Sequence, residues 1–195
     1  MLKFNMGCGH NKMAGFVNVD ASAACDPDEV VDLETTPWPW ADDCAEIVFF
    51  NHSLEHMGAD AKVFLAIMTE VYRIAANDCE VIIHVPHPRH DDFIGDPTHV
   101  RVITPQVMSL FDREKNDAWK AAGHSNTPLS HYTGVDLRQT QMRMRLAPKY
   151  QAKLDAGELT EPELLELMDE RLNVASEIKM RFRVRKPAGS PAPSA

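Results

Sequence analysis

Three features of the sequence predict an α/β fold built on a mostly parallel sheet. Ile47-Val48-Phe49-Phe50 and Val81-Ile82-Ile83-His84-Val85 are short, nearly continuous apolar runs, the pattern of strands buried on both faces. Between them Val63, Phe64, Ile67, Met68, Val71 and Tyr72 recur with helical spacing. An earlier apolar stretch, Leu2 to Met6, ends at the turn Gly7-Cys8-Gly9. Strands separated by helix and turn are most simply joined into one sheet.

Taken in order, Phe16 to Asp20 alternates and stops at an acid, and Val30 to Leu33 is a third short strand candidate. Thr36-Pro37-Trp38-Pro39-Trp40 is a loop, since two prolines deny it a helix or a central strand. Glu46 to Phe50 and Val81 to Val85 are the next strands, with a helix from about 60 to 76 between them. Thr104-Pro105 opens a short helix through Phe111, with threonine as cap and proline at the first helical position. Pro148 to Ala156 reads as another helix, closed by Gly157. Thr160-Glu161-Pro162-Glu163 is a capping box for a helix to about Ala175. Gln139 to Leu146 and Glu177 to Lys186 alternate with a period of two and so predict strands with one buried face. One domain over residues 1–186 is expected, and the Pro/Ala/Ser-rich residues 187–195 are expected to be a disordered tail.

Composition excludes several classes of protein. The chain has 195 residues, 44% hydrophobic and 25% charged, which suits a globular domain and not a disordered one. No apolar run nears the ~20 residues that span a bilayer, and Met1-Leu2-Lys3-Phe4-Asn5 is unlike a secretory leader. The 4 cysteines form no CxxC pair and read as reduced thiols of a cytoplasmic chain. The net charge of −9 is uneven: residues 1–100 carry 17 acids against 5 Lys/Arg, and the rest carry 12 against 15. That acidity disfavours a general nucleic-acid binder.

Glycines after a first strand let the backbone turn sharply and approach a ligand. An acid at the end of the second strand, here Asp20, can accept both hydroxyls of a ribose. A dinucleotide fingerprint needs a third glycine where Lys12 stands, and there is no GxxxxGK[ST] motif.

The ordered set Phe4-Asn5-Met6-Gly7-Cys8-Gly9, Gly15-Phe16-Val17-Asn18-Val19-Asp20, Asp32-Leu33-Glu34, Pro37-Trp38-Pro39 and Phe50-Asn51-His52-Ser53-Leu54-Glu55-His56 resembles the class I S-adenosylmethionine-dependent methyltransferases, in particular a compact bacterial branch. Asp96-Pro97-Thr98-His99-Val100-Arg101, followed by Thr104-Pro105, resembles the same branch. The resemblance covers roughly residues 2–112. It implies a Rossmann-like three-layer sandwich whose mostly parallel seven-stranded sheet ends in an antiparallel strand, with the two alternating strands in the last two places. Gly7, Cys8 and Gly9 would pass under the methionine part of the cofactor, and Asp20 would hold the ribose. Asp32 and Leu33 would border the adenine, and Asn51 and His52 would face the sulfonium and the acceptor. Asn5 stands where the family has an acid. Only residues 10–16 separate the turn from the second strand, so the first crossover helix is short or missing. No helix precedes the first strand, so the usual lid is not expected; cofactor binding would then be weak, or another subunit would complete the site.

Histidines gather where the acceptor belongs. His52 and His56 follow the fourth strand, and His84, His87, His90 and His99 come with or after the fifth. Removing a proton from an alcohol suits an imidazole. His52, His56 and His99 are the catalytic candidates, with His56 and His99 converging from different loops. Arg101 is a candidate for orienting the acceptor. Related enzymes that methylate small RNAs or ubiquinone precursors carry Glu-x-x-Glu-His at this place and bind a divalent metal, which would make His52, Glu55 and His56 the ligands here; Leu-Glu-His also occurs in the wider family without a metal, and Glu55 would then cap a helix or pair with a neighbour. His84, inside a strand, reads as a core histidine. Lys179, Arg181, Arg183 and Arg185 form a cationic row beside Arg143 and Arg145, and the acidic first half or the Glu-rich helix 161–175 is expected to offset it.

The function implied is transfer of a methyl group from S-adenosylmethionine to oxygen or nitrogen of a small-molecule or saccharide acceptor. The alternatives are a cofactor-binding domain without transferase activity and a metal hydrolase. The partners expected are a small acceptor, no membrane, and either a second copy or a partner chain completing the site.

Overall fold

The computed structural model describes residues 1–187; most of the tail expected at 187–195 lies outside them. Seven strands, β1 (Leu2–Met6), β2 (Val17–Asp20), β3 (Glu29–Val30), β4 (Ala45–Asn51), β5 (Ala75–Pro86), β6 (Leu137–Leu146) and β7 (Ala175–Val184), form one sheet in the order β3-β2-β1-β4-β5-β7-β6. β1 to β5 pair in parallel, while β7 runs antiparallel to both β5 and β6. The expected sheet and its antiparallel end are therefore present.

The helices are α1 (Ala61–Ile74), α2 (Asp91–Ile94), α3 (Pro105–Ser109), α4 (Arg113–Ala121), α5 (Leu129–Thr133), α6 (Pro148–Asp155) and α7 (Glu161–Glu170). Asp60 caps α1, Thr104 caps α3 with Pro105 at its start, and Thr160 with Glu163 closes the capping box of α7. Three boundaries differ from expectation. β3 is only two residues long, because Asp32 accepts from Glu34 N and Thr35 Oγ1 and turns the chain away. α7 stops at Glu170, five residues early: Asn173 adopts φ 60° and binds Arg89 O and Asp91, drawing the chain back to the sheet. α4 and α5 carry no legible apolar stripe, and each buries a single polar residue, Asn116 or Ser130.

The core lies on one side of the sheet. Paired residues on adjacent strands point the same way, and Phe4, Val48, Val81 and Phe182 form one such row, with Met6, Phe50, Ile83 and Met180 in the next. All eight belong to the main core with Phe64, Ile67, Met68 and Val71 of α1, Met108 of α3, and Phe111. Trp38 and Trp40 roof the same side; Trp40 meets Phe4 at 4.6 Å. Arg73 holds this tryptophan loop by donating to Trp38 O, Trp40 O, Asp42 and Glu70, and Glu70 accepts from Trp38 N.

The layer on the opposite face is thin. It consists of the helix-free segment 10–16, pinned to β1 and β2 where Asn5 donates to Asn11 O and Asn18 bridges to Met13 and Phe16. α6 and α7 pack on each other in a small separate cluster around Tyr150 and Leu164. The four cysteines are free. Among the described residues no helix is long and apolar enough to cross a membrane.

Candidate cofactor and acceptor site

β1, β2, β4 and β5 all end at one edge of the sheet, where open α/β sheets bind ligands. Gly7 leaves β1 with φ 66°, and a Cβ there would lie 2.6 Å from Ser53 Cβ, so glycine is needed for both conformation and space. Ser53 Oγ donates to Met6 O and locks the start of the turn to the loop after β4. Gly9, at φ 51°, faces open space. Its N–H donates to Asp20 Oδ2, and Ser22 N donates to Asp20 Oδ1. Each carboxylate oxygen thus accepts one backbone bond and retains a lone pair for another donor.

A cavity of about 170 Å³ opens here, lined by Gly7, Asp20, Ala21, Val31, Asp32, Leu33, Glu34 and Met57. Four of these, Gly7, Asp20, Asp32 and Leu33, are positions the sequence singles out. Glu34 and Met57 are additions. Glu34 accepts from Gly58 N and ties this loop to the one after β4. Other candidates sit elsewhere. The Cys8 thiol is buried against Gly9 O, and the Asn5 amide is occupied with segment 10–16 on the opposite face. Asn51 ends β4 beside His84.

The structure brings His56 and His99 together with ring centroids 4.6 Å apart. Thr98 Oγ1 donates to Asp96 at 2.6 Å, so it accepts from His56 Nδ1 at 2.9 Å. His99 Nδ1 donates to Phe93 O at 3.0 Å. Both rings therefore carry their proton on Nδ1 and leave Nε2 without a hydrogen bond, that of His99 lying 3.8 Å from Asp96 Oδ2; the assignment follows from the hydrogen-bond network. Glu55 lies beside them, 1% exposed, and neither carboxylate oxygen has a hydrogen-bond partner. One ligand atom from each of Glu55, His56 and His99 falls within 4.8 Å of the others. The cluster differs in membership from the expected His52, Glu55, His56 set: His99 lies within it, and His52 lies between Glu55 and Glu177.

His52 has φ 53° and points toward β7, where Nε2 meets Glu177 at 2.9 Å while Nδ1 faces Glu55 at 3.6 Å. Its pKa is raised. Glu55 is the largest cause, and Glu177 adds to it against the effect of burial. Burial works to raise the pKa of Glu177, but His52, Lys179 and Arg145 outweigh it and hold the carboxyl below its ordinary value. Glu177 is the one acid within the basic alternation of β7, the only signal by which the sequence marks it. Burial and the Lys179 charge push His84 down to about 4. Arg101 is not free to orient an acceptor: it donates to Gly58 O and Ala59 O and lies over the Phe64 ring.

The cationic row is offset only in part as expected, by Glu80 of the acidic first half and not by the helix α7. Arg143 does pair with Lys179, and Arg138 with Arg183. Relief comes from Glu80 on Arg181 and from Glu177 on Lys179 and Arg145, while Arg185 turns to Asp112, Asp136 and Glu114. No residue of α7 takes part in these ion pairs.

No protein-family model matches the chain, and no curated protein matches it in sequence. Solved structures do match. A S-adenosylmethionine-dependent methyltransferase from Archaeoglobus fulgidus superposes with TM-score 0.62 at 15% identity, over 93% of this chain and 86% of its own. Another from Mesorhizobium loti gives 0.50 at 15% identity, over 93% and 90%. The cyclase SpnF gives 0.53 at 12% identity, over 95% and 75%. At these identities the likeness establishes the Rossmann-like fold of such methyltransferases, and SpnF shows that this fold also occurs in a protein named for other chemistry.

Proposed function

We propose that this protein transfers a methyl group from S-adenosylmethionine to an oxygen or nitrogen of a small acceptor. The observation that carries the reading is Asp20. Its carboxylate is fixed by Gly9 N and Ser22 N, opens into the cavity, and shares it with Gly7, Asp32 and Leu33. That geometry suits a ribose on Asp20 and an adenine against Leu33 and Asp32, with the chain passing over Gly7 and Gly9 toward Asn51. When bound, S-adenosylmethionine supplies an electrophilic methyl group on a sulfonium. The acceptor loses its proton to the free Nε2 of His56 or His99, and the loops after β4 and β5 hold the two reactants in line.

Titration calorimetry with S-adenosylhomocysteine tests this reading. The wild type should bind, and Asp20→Ala should weaken binding about tenfold or more, since charge-assisted bonds are worth ~1.5–3 kcal/mol each. Unchanged affinity in a folded variant would sink it. The rival, a domain that binds cofactor without transfer, predicts the same isotherm but no labelled product from any acceptor.

A metal-assisted variant rests on the unpartnered Glu55 carboxylate. Glu55 and the Nε2 atoms of His56 and His99 form a donor set suited to zinc, iron or manganese, with Thr98 and Phe93 O fixing the imidazoles from behind. A cation there would polarise the acceptor oxygen and favour its deprotonated form. Cobalt(II) absorption spectra of the wild type and of Glu55→Gln decide it; identical spectra in the two would reject the site.

A further inference from the structure

Among the described residues, one face of the sheet has no helical layer over its centre. Ile47 pairs with Glu80, Phe49 with Ile82 and Asn51 with His84, and Arg183, Arg181 and Lys179 of β7 continue those rows. These residues point away from the core, and Ile47, Phe49 and Ile82 are half-buried yet belong to none of its packing. Parallel sheets are almost always covered on both faces. Here α1, α3 and the tryptophan loop all pack on the other side, α6 and α7 pack on themselves, and segment 10–16 reaches only β1 and β2.

The open patch also has a charge gradient. On the β6–β7 flank lie Lys179, Arg181 and Arg183 with Arg138 and Arg143, and of these Arg181 meets Glu80 and Lys179 meets Glu177. On the opposite flank Asp28 accepts from the Asn18 side chain, with Asp26 nearby and Lys12 between the two acids. Phe49 and Ile82 lie between the flanks.

We propose that a second copy of this chain covers the face, sheet against sheet, about a two-fold axis near Phe49 and Ile82. Such an axis sets the apolar centre of one copy on that of the other. It also sets each basic β6–β7 flank over the acidic β2–β3 flank of its mate. A single surface that is self-complementary in this way is what a closed two-fold dimer requires. Phe49 and Ile82 suit the dry middle of an interface and the charged flanks its rim. Phe49 and His84 meet edge to face, 5.0 Å apart at 81°, which leaves no stacked platform for nucleic-acid bases. This inference is independent of the methyl-transfer reading.

Sedimentation velocity and light scattering of the full chain, over a range of micromolar concentrations and at low and high salt, test the proposal. The expected result is a dimer that loosens as salt rises. Phe49→Asp, and separately Arg181→Glu with Arg183→Glu, should each raise the dimer dissociation constant about tenfold or more while leaving the circular dichroism spectrum unchanged. Adding Asp26→Lys to the arginine double variant should recover part of the loss, because the flanks then carry exchanged signs. A monomer at every concentration would overturn the proposal, as would a dimer indifferent to all three variants. Capture of an acidic peptide or a nucleic acid by a monomeric chain would overturn it as well.

Discussion

Phe49 and Phe50 are adjacent in β4 and chemically identical, yet the fold treats them differently. Phe50 is fully buried between Met6, Ile83 and the helical layer. Phe49 lies on the other face, half-buried beside Ile82 and His84. The same contrast separates Val48 from Ile47 and Ile83 from Ile82. A continuous apolar run signals cover on both faces of a strand, but not which chain provides that cover. One face of this sheet is covered by the chain's own helices and tryptophans, while among the described residues no helix covers the centre of the other.

The largest effect that would break this comparison is on stability. Phe50→Ala should lower the unfolding free energy by ~3–5 kcal/mol, and Phe49→Ala in dilute protein by less than ~1.5 kcal/mol, because that side chain lies outside the packed core and keeps part of its surface in water. Urea denaturation of both measures the difference, and equal losses would mean that the open face is packed as tightly as the core. Next comes Glu177→Ala. It removes the buried acceptor shared by His52, Lys179 and Arg145, and a loss of ~1–3 kcal/mol is expected in the same experiment.

The third test uses pH. His84 has a folded pKa below its unfolded one, so between the ordinary histidine range and about 4 the unfolded chain binds a proton that the folded chain refuses. Its contribution to stability is intact above that window and falls as pH drops through it. In His84→Phe the acid-side decline of the denaturation midpoint should be shallower than in the wild type; parallel curves would show that His84 is well solvated. The smallest effect belongs to Arg181→Ala. Its ion pair with Glu80 is exposed, so stability should change by ~0–1 kcal/mol, leaving any large effect of Arg181 to appear in self-association.

Much of the fold is legible in residue pattern alone. Capping residues announce α3 and α7, apolar spacing announces α1, alternation announces β6 and β7, and the glycine pair announces the turn after β1. The misses differ in cause. β3 is cut short by the Asp32 turn, α7 by Asn173 reaching back to Arg89 and Asp91, and α4 escapes notice because its face toward the core offers only Asn116. The candidate site divides in the same way. Gly7, Asp20, Asp32 and Leu33 come together at one cavity as the motif order implies, since parallel strands deliver their carboxyl ends to one edge.

By itself the sequence determined the α/β class, the glycine turn with its acid and the histidine content of the rim, because these follow from local conformation and from residue spacing. Only the tertiary structure decided which imidazoles meet. His52 and His56 are four residues apart, but a left-handed backbone at His52 swings it to Glu177 on β7, and His99, from a different loop, takes its place beside His56 and Glu55. It likewise decided that one face of the sheet stays open. Periodicity reports that a side chain avoids water, while the partner that removes the water is set by how elements far apart in sequence pack.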